Sequence, residues 1–280
     1  MSNWVKYIIA LSLSTSALAD GIEIIQVDTG NTKSHTGYLN MPINRPEACW
    51  NVHGTQVAQS LDDQLSIEDV KPVRAEQVIW HNISDLPKAI EEATDKKPKV
   101  ISLSLNGQKP DIAEFSAIKR ATSSGILVVV AAGNEGLDEP GFPAKYDLPC
   151  LVSVSTTIKG NKDPIANAGD TYLERSPKDA GGTSFSAARM GGVAIRYFQE
   201  HPTSTCKEAE NWLKANYGPK GLLVQYRYGR FKGQPSDWAA NTPKPRQWRP
   251  QLHKSGTASE PKEVQEEVSV WSAAQGSNDR

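Results

Sequence analysis

Cysteine is scarce in this chain: three in 280 residues, Cys49, Cys150 and Cys206, with no CxxC pair. That excludes a disulfide-built scaffold and the paired thiols of a zinc ribbon or a thioredoxin-like site. An excess of charge of one sign is missing too, since 31 Lys and Arg oppose 32 Asp and Glu for a net charge of −1. No bulk attraction to nucleic acid or to an anionic membrane follows, and neither is expected as a partner. After the first 19 residues no apolar run approaches the ~20 residues that a bilayer-spanning helix needs. His35, His81, His201 and His253 have no partner at metal-ligand spacing, so no metal site is assigned. Length is ample: 280 residues suffice for one domain or two with a sizeable core.

The N-terminus carries one positive charge up to Lys6, an apolar stretch from Tyr7 to Leu18 diluted by Ser12, Ser14 and Ser16, and the small-x-small run Ala17-Leu18-Ala19. These are the parts of a cleavable export signal, expected over residues 1–19 with the cut before Asp20. The chain that remains is expected to be exported to the periplasm or beyond the cell, without stable membrane insertion. In such a compartment the odd cysteine set permits one bridge and one free thiol, with the pairing open. A folded domain is expected over 20–238. From 239 to 280 prolines are scattered among charged and small residues without apolar period, which reads as a flexible tail; Val264, Val268 and Trp271 alone fall at helical spacing.

Between these ends, short β-branched runs alternate with helical patterns, the signature of an α/β fold with a mostly parallel sheet flanked by helices on both faces. Strands are expected at Ile22–Val27, Val100–Leu105, Ile126–Val130 and Leu151–Val154. A helix is expected from Asp111 to Ser124, with Asp111 and Glu114 at capping-box spacing, Ile112, Phe115 and Ile118 on its apolar side, and Gly125 ending it. A second, Cys206–Asn216, is announced by Thr205 and Glu208 and should turn Ala209, Trp212 and Leu213 inward.

Four segments place reactive residues where buried elements should end. Asp28-Thr29-Gly30 follows an apolar strand; alone it reads equally as a strand-ending turn, or as an aspartic-protease signature present in a single copy. His53-Gly54-Thr55 opens a helical stretch in which Val57 and Leu61 lie one turn apart. Asn134, in Ala131-Ala132-Gly133-Asn134-Glu135-Gly136, follows the most apolar strand, where an open parallel sheet presents its ligand sites. Ser184, in Gly181-Gly182-Thr183-Ser184-Phe185-Ser186-Ala187, starts a helix whose Ala187, Ala188, Gly191 and Gly192 permit close packing on the sheet. Each has a bland alternative, as turn, surface histidine or helix cap; the four together, in the order Asp, His, Asn, Ser, do not.

On those residues the chain resembles the subtilisin-like serine proteases. Ser102-Leu103-Ser104-Leu105-Asn106-Gly107 is similar to the family's substrate-binding strand, Gly141-Phe142-Pro143-Ala144-Lys145-Tyr146 to a later segment, and Tyr226-Arg227-Tyr228-Gly229-Arg230 to its closing turn. The resemblance spans about 21–231. It implies a serine endopeptidase acting on polypeptides, with Ser184 as nucleophile, His53 as base, Asp28 orienting the base, and the Asn134 amide with the Ser184 N–H as oxyanion donors. It also implies a pocket for the residue before the scissile bond, with walls from Ser104, Leu105 and Asn106 and from Ala131, Ala132 and Gly133. Gly141 is its expected floor, Glu135 lies at its rim, and large apolar side chains are expected to be preferred. No cofactor is implied for the chemistry; a structural calcium ion is allowed, without assigned ligands, and no oligomer is specified.

The chain departs from the family in having no room for a propeptide between the expected cleavage site and Asp28, Ala188 where a proline usually stands, and a short segment from Ile165 to Ala180. An exported binding protein on the same scaffold, with weak or no turnover, is the alternative these departures suggest. The four filled reactive positions oppose it. An α/β-hydrolase esterase would call for G-x-S-x-G, whereas Ser184 is followed by Phe185-Ser186.

Overall fold

The computed structural model describes residues 21–44, 52–68, 70–179 and 181–219. The export signal over 1–19, Cys49, the turn at 226–230, the domain boundary at 238 and the tail over 239–280 lie outside these residues. In chain order the elements are β1 (Ile24–Asp28), β2 (His35–Thr36), β3 (Leu39–Met41), α1 (His53–Glu68), β4 (Val73–Ile79), α2 (Leu86–Asp95), β5 (Val100–Leu103), α3 (Ile112–Ser123), β6 (Leu127–Ala131), β7 (Leu151–Ile158), β8 (Asn161–Lys162), β9 (Thr171–Glu174), α4 (Thr183–Glu200) and α5 (Cys206–Tyr217). All four expected strands and both expected helices are present, with no end moved by more than four residues. The strand at Val100 stops at Leu103, which frees Ser104–Asn106 to line a site.

The strands form one sheet in the order β2-β3-β4-β1-β5-β6-β7-β8, with β9 also pairing β7. The run β3-β4-β1-β5-β6-β7-β9 is parallel; β2 and β8 pair antiparallel at the two ends. From β1 the chain goes out to the edge at β2, winds back through β3 to β4 beside β1, then crosses to lay β5 on the other side of β1. The carboxyl ends of β1 and β5 are therefore where an open parallel sheet presents a ligand crevice.

Alternating side chains divide between two cores. Ile24, Val73, Val100, Leu127, Val129 and Val152 face α1, α4 and α5. Ile25, Val27, Val78, Ile101, Val128 and Val130 face α2 and α3. Strands buried on both faces are apolar at successive positions, which is why β6 reads as an unbroken apolar run. Gly191 lets α4 sit on β1, since a Cβ there would lie 2.8 Å from Ile24 Cδ1.

Cys150 and Cys206 form a disulfide with Cα atoms 5.4 Å apart, joining the start of β7 to the start of α5. The box at Thr205 and Glu208 is present, with Ala209 and Leu213 buried and Trp212 half-buried. On α3 only half the expected box forms: Asp111 accepts from the Glu114 N–H at 2.8 Å, but the Glu114 carboxyl accepts from the Tyr146 hydroxyl at 2.9 Å. Asp111 N–H donates to that same hydroxyl. Ile112 is exposed rather than inward, and Ala117, Ile118 and Ala121 form the core face, because the helix turns Glu114 beneath Tyr146. Burial pushes the Glu114 carboxyl up to about 7, with the Tyr146 hydrogen bond opposing and the Asp111 charge adding to the rise.

Candidate active site

Three parallel strands and two helix starts converge at the carboxyl edge of the sheet. β1 ends on Asp28, β5 runs out into Ser104, and β6 runs out through Ala132 and Gly133 to Asn134. α1 begins at His53 and α4 at Thr183, one residue before Ser184.

Asp28 and His53 are brought together. His53 Nδ1 lies 2.8 Å from Asp28 Oδ1, and Asp28 is 3% exposed. The same oxygen accepts from the Thr29 N–H at 2.7 Å and the Thr29 hydroxyl at 3.3 Å, so the carboxylate is held before His53 reaches it. The two loops are tied by Gly54 N–H donating to Thr29 Oγ1 at 3.0 Å and Gln77 donating to the Gly54 carbonyl at 2.6 Å. Glycine is needed at 54, since a Cβ there would lie 2.5 Å from the Gly30 carbonyl oxygen. Burial is the largest single influence on His53 and lowers its pKa. The charge of Asp28 and the hydrogen bond to it act the other way and together win, leaving the imidazole above its ordinary value.

Ser184 and Ser104 are also brought together: the Ser184 hydroxyl donates to the Ser104 carbonyl at 3.2 Å, and the Ser104 hydroxyl to the Ser184 carbonyl at 2.8 Å. The ring of Phe185, the next residue, has its centroid 6.2 Å from that of His53. Gly181 and Gly182 hold φ of 102° and 95°, a left-handed turn that only glycine enters readily, and Ser184 follows in the first turn of α4. Its N–H is among the first four of that helix, which have no partner within the helix.

Asn134 docks on the same turn. Its Oδ1 accepts from the Thr183 N–H at 2.9 Å and the Thr183 hydroxyl at 3.2 Å, which assigns the oxygen to that side and leaves Nδ2 as the amide's remaining face. Thr183 Oγ1 also accepts from the Gly133 N–H at 3.1 Å. Thr183 thus joins the two segments, a part that its place between Gly182 and Ser184 hinted at without specifying. Asn167, buried and bound to Ala132 and Glu135, had no sequence signal.

The remaining expected binding residues are neighbours. Gly141 N–H donates to the Ala132 carbonyl at 2.8 Å, and Gly107 and Phe142 exchange backbone hydrogen bonds, which knits 104–107, 131–133 and 141–142 into one wall. A Cβ on Gly141, the expected floor, would lie 2.8 Å from the Gly107 carbonyl oxygen and 3.0 Å from Asn106 Nδ2. On the His53 side a cleft of about 440 Å³ opens beside Phe185, lined by Thr55, Gln56, Ser60, Asp63, Lys33 and Lys178. Among the described residues no three His, Cys, Asp or Glu side chains gather as a metal site.

The Subtilase family profile matches residues 70–229, more than half of the chain; Ser104, Asn134 and Ser184 lie inside that match, Asp28 and His53 upstream of it. Subtilisin DY of Bacillus licheniformis is 28% identical over 236 residues, covering 72% of this chain and 86% of that protein. Subtilisin BL of Lederbergia lenta is 26% identical over 238 residues, covering 75% and 88%. A cold adapted subtilisin-like serine proteinase superposes with a TM-score of 0.59 at 22% identity, over 70% of this chain and 81% of that one. The prenylagaramide maturation protease PagA does so with 0.54 at 18%, over 74% and 87%, a likeness of fold. A parallel α/β sheet, a helix-start serine at its carboxyl edge and a family profile over most of the domain lead to one conclusion: this chain belongs to the subtilase family and is a serine endopeptidase acting on polypeptides.

Proposed function

We propose that the enzyme hydrolyses peptide bonds through Ser184, His53 and Asp28, with Asn134 and the Ser184 N–H as oxyanion donors, and that it works outside the cytoplasm. The observation that carries the assignment is the 2.8 Å bond between His53 and a buried Asp28, 25 residues apart in sequence, formed beside the residue that follows Ser184.

The mechanism follows from proton and charge accounting. Ser184 Oγ leaves its contact with Ser104, attacks the scissile carbonyl carbon and gives its proton to His53 Nε2. The imidazolium so formed is stabilised by Asp28, which also holds the proton on Nδ1 and keeps Nε2 free to accept. Charge building on the carbonyl oxygen meets the Asn134 amide and the Ser184 N–H at the positive end of α4. Collapse breaks the carbon–nitrogen bond, and His53 returns its proton to the leaving amine, whose chain continues toward the cleft beside Phe185. Water then repeats both steps on the acyl-enzyme, with His53 again base and then acid. Nucleophile, base and donors all come from the chain, so the proposal calls for no cofactor.

Location outside the cytoplasm is supported by the Cys150–Cys206 bridge, which persists in oxidising compartments. Among the described residues no helix is long and apolar enough to cross a membrane. Digestion of an unstructured protein, read by mass spectrometry, tests the assignment. Cleavage should be abolished by Ser184→Ala and reduced by roughly 10⁴-fold or more in His53→Ala. Cleavage at the wild-type rate by Ser184→Ala would remove Ser184 from its role.

A further inference from the structure

The acyl half of a bound peptide must pass between two segments. One is 104–107, fixed to Ser184 by the paired Ser104 hydrogen bonds; the other is 131–134, which ends on Asn134. A substrate with its carbonyl carbon at Ser184 Oγ and its oxygen at the Asn134 amide directs the side chain before the scissile bond into the gap between them. Two glycines, Gly133 and Gly141, face that gap, and both look onto protein atoms rather than open space. A Cβ on Gly133 would lie 2.7 Å from Asn106 Nδ2, 2.4 Å from Asn167 Nδ2 and 2.7 Å from Glu135 Oε2. A Cβ on Gly141 would meet the Gly107 carbonyl oxygen at 2.8 Å and the same Asn106 amide at 3.0 Å.

Asn106 is not a loose occupant. Its Nδ2 donates to both oxygens of Glu135, at 3.1 and 3.2 Å. The Glu135 carboxylate is anchored in turn by the Asn134 N–H at 3.0 Å and Asn167 Nδ2 at 2.7 Å. Asn167 is fully buried and oriented by three backbone partners: its Oδ1 accepts from the N–H groups of Glu135 at 3.1 Å and Leu137 at 2.9 Å, and its Nδ2 donates to the Ala132 carbonyl at 3.1 Å. Entry of a large apolar side chain would displace the Asn106 amide from the Glu135 carboxylate and set apolar surface beside that charge.

We propose that Asn106, clamped by a Glu135 that Asn167 holds in place, closes the pocket for the residue before the scissile bond, so that this enzyme cuts after glycine, alanine or serine in preference to large apolar residues. The proposal rests on the assignment of Ser184 as nucleophile and of Asn134 as oxyanion donor. It names Asn106 as the residue that sets specificity, where the sequence had pointed to Gly141.

The test uses peptides and matching peptidyl phosphonates that differ only at this residue: Gly, Ala, Ser, Leu, Phe, Lys or Arg. The wild type should cleave, and be labelled on Ser184 by, the Gly, Ala and Ser members first. Asn106→Gly should raise the ratio of kcat/KM for Phe to that for Ala by roughly tenfold or more, the scale on which pocket shape discriminates apolar groups. Asn106→Ala, which keeps a Cβ and strains the backbone less, should shift the ratio the same way by a smaller factor, with thermal unfolding reporting whether either variant is folded. Labelling of Ser184 led by Phe or Leu in the wild type, or an unchanged ratio in both folded variants, overturns the proposal while leaving the nucleophile in place. Labelling led by Lys or Arg overturns it in favour of direct pairing with Glu135. Cleavage by Ser184→Ala, or no cleavage and no labelling by any member, overturns the underlying assignment and the proposal with it.

Discussion

Two carboxylates lie beside the strand ends that carry this site, and they differ in what donates to them. Asp28, on the last residue of β1, is buried, and one of its donors is His53, a group that itself gains and loses protons. Glu135, four residues beyond β6, is exposed, and all its donors are groups that do not titrate: two asparagine amides and a backbone N–H. On the proposed assignment the same functional group couples to proton transfer on one side of Ser184 and to pocket shape on the other. Burial and the identity of the donor decide which.

Replacement of Asp28 by Asn should separate the two sides most sharply. It leaves the volume nearly unchanged but removes the charge that raises His53, so kcat should fall by roughly 10⁴-fold. In the wild type the catalytic imidazole must be neutral, so kcat/KM should fall with acidification through a midpoint above the ordinary histidine value. In Asp28→Asn that midpoint should drop. Glu135→Gln should leave the midpoint where it is in the wild type, and a shift there would dissolve the distinction between the two carboxylates.

Asn134→Ala should lower kcat by about 10²–10³-fold with little change in KM, since its amide meets charge that exists only during reaction. Steady-state kinetics on one peptide decide this; a rise in KM with kcat unchanged would make Asn134 a ground-state contact.

Cys206→Ser provides a change remote from both carboxylates, because the bridge sits at the amino end of β7 whereas the site occupies the carboxyl ends of parallel strands. Denaturant unfolding should show a loss of about 2–4 kcal/mol. The pH midpoint and the order of preferred residues should both stay fixed.

The smallest effect concerns a third carboxyl, Glu114, buried without a cation beneath Tyr146. Folded, it holds its proton up to about pH 7, against an ordinary value of 4.5. Between those values the native state binds more protons than the unfolded chain, so stability falls as pH rises through that window. Glu114→Gln should remove this decline, a difference of roughly 1–3 kcal/mol above pH 7. Parallel pH–stability curves for the two proteins would contradict it.

What the sequence disclosed was local. Asp28-Thr29-Gly30, His53-Gly54 and Gly182-Thr183-Ser184 each carry their chemistry within three residues, and the order of the segments supplied the rest. β4 gives a weaker signal because Arg74 and Glu76 interrupt its apolar run, with Val73 and Ala75 packed in one core and Val78 in the other. α2 carries its signal in Leu86, Ala89, Ile90 and Ala93 at helical spacing. Ile112 falls at core spacing yet is exposed, because Tyr146, 34 residues on, holds Glu114 and so fixes which face of α3 is buried. The clamp on Asn106 could not be read at all. Its partner Glu135 lies 29 residues away, and Asn167, which holds Glu135, lies 32 residues beyond that; only the fold brings the carboxyl ends of β5 and β6 and the segment before β9 together.

The central claim is that Ser184 is the nucleophile and His53 its base. A fluorophosphonate should label the folded protein at Ser184, located by peptide mapping, at a rate that falls with acidification through the raised His53 midpoint, and Ser184→Ala should take up none. Equal labelling of both proteins, an adduct on another residue, or no labelling of the folded wild type would contradict the account.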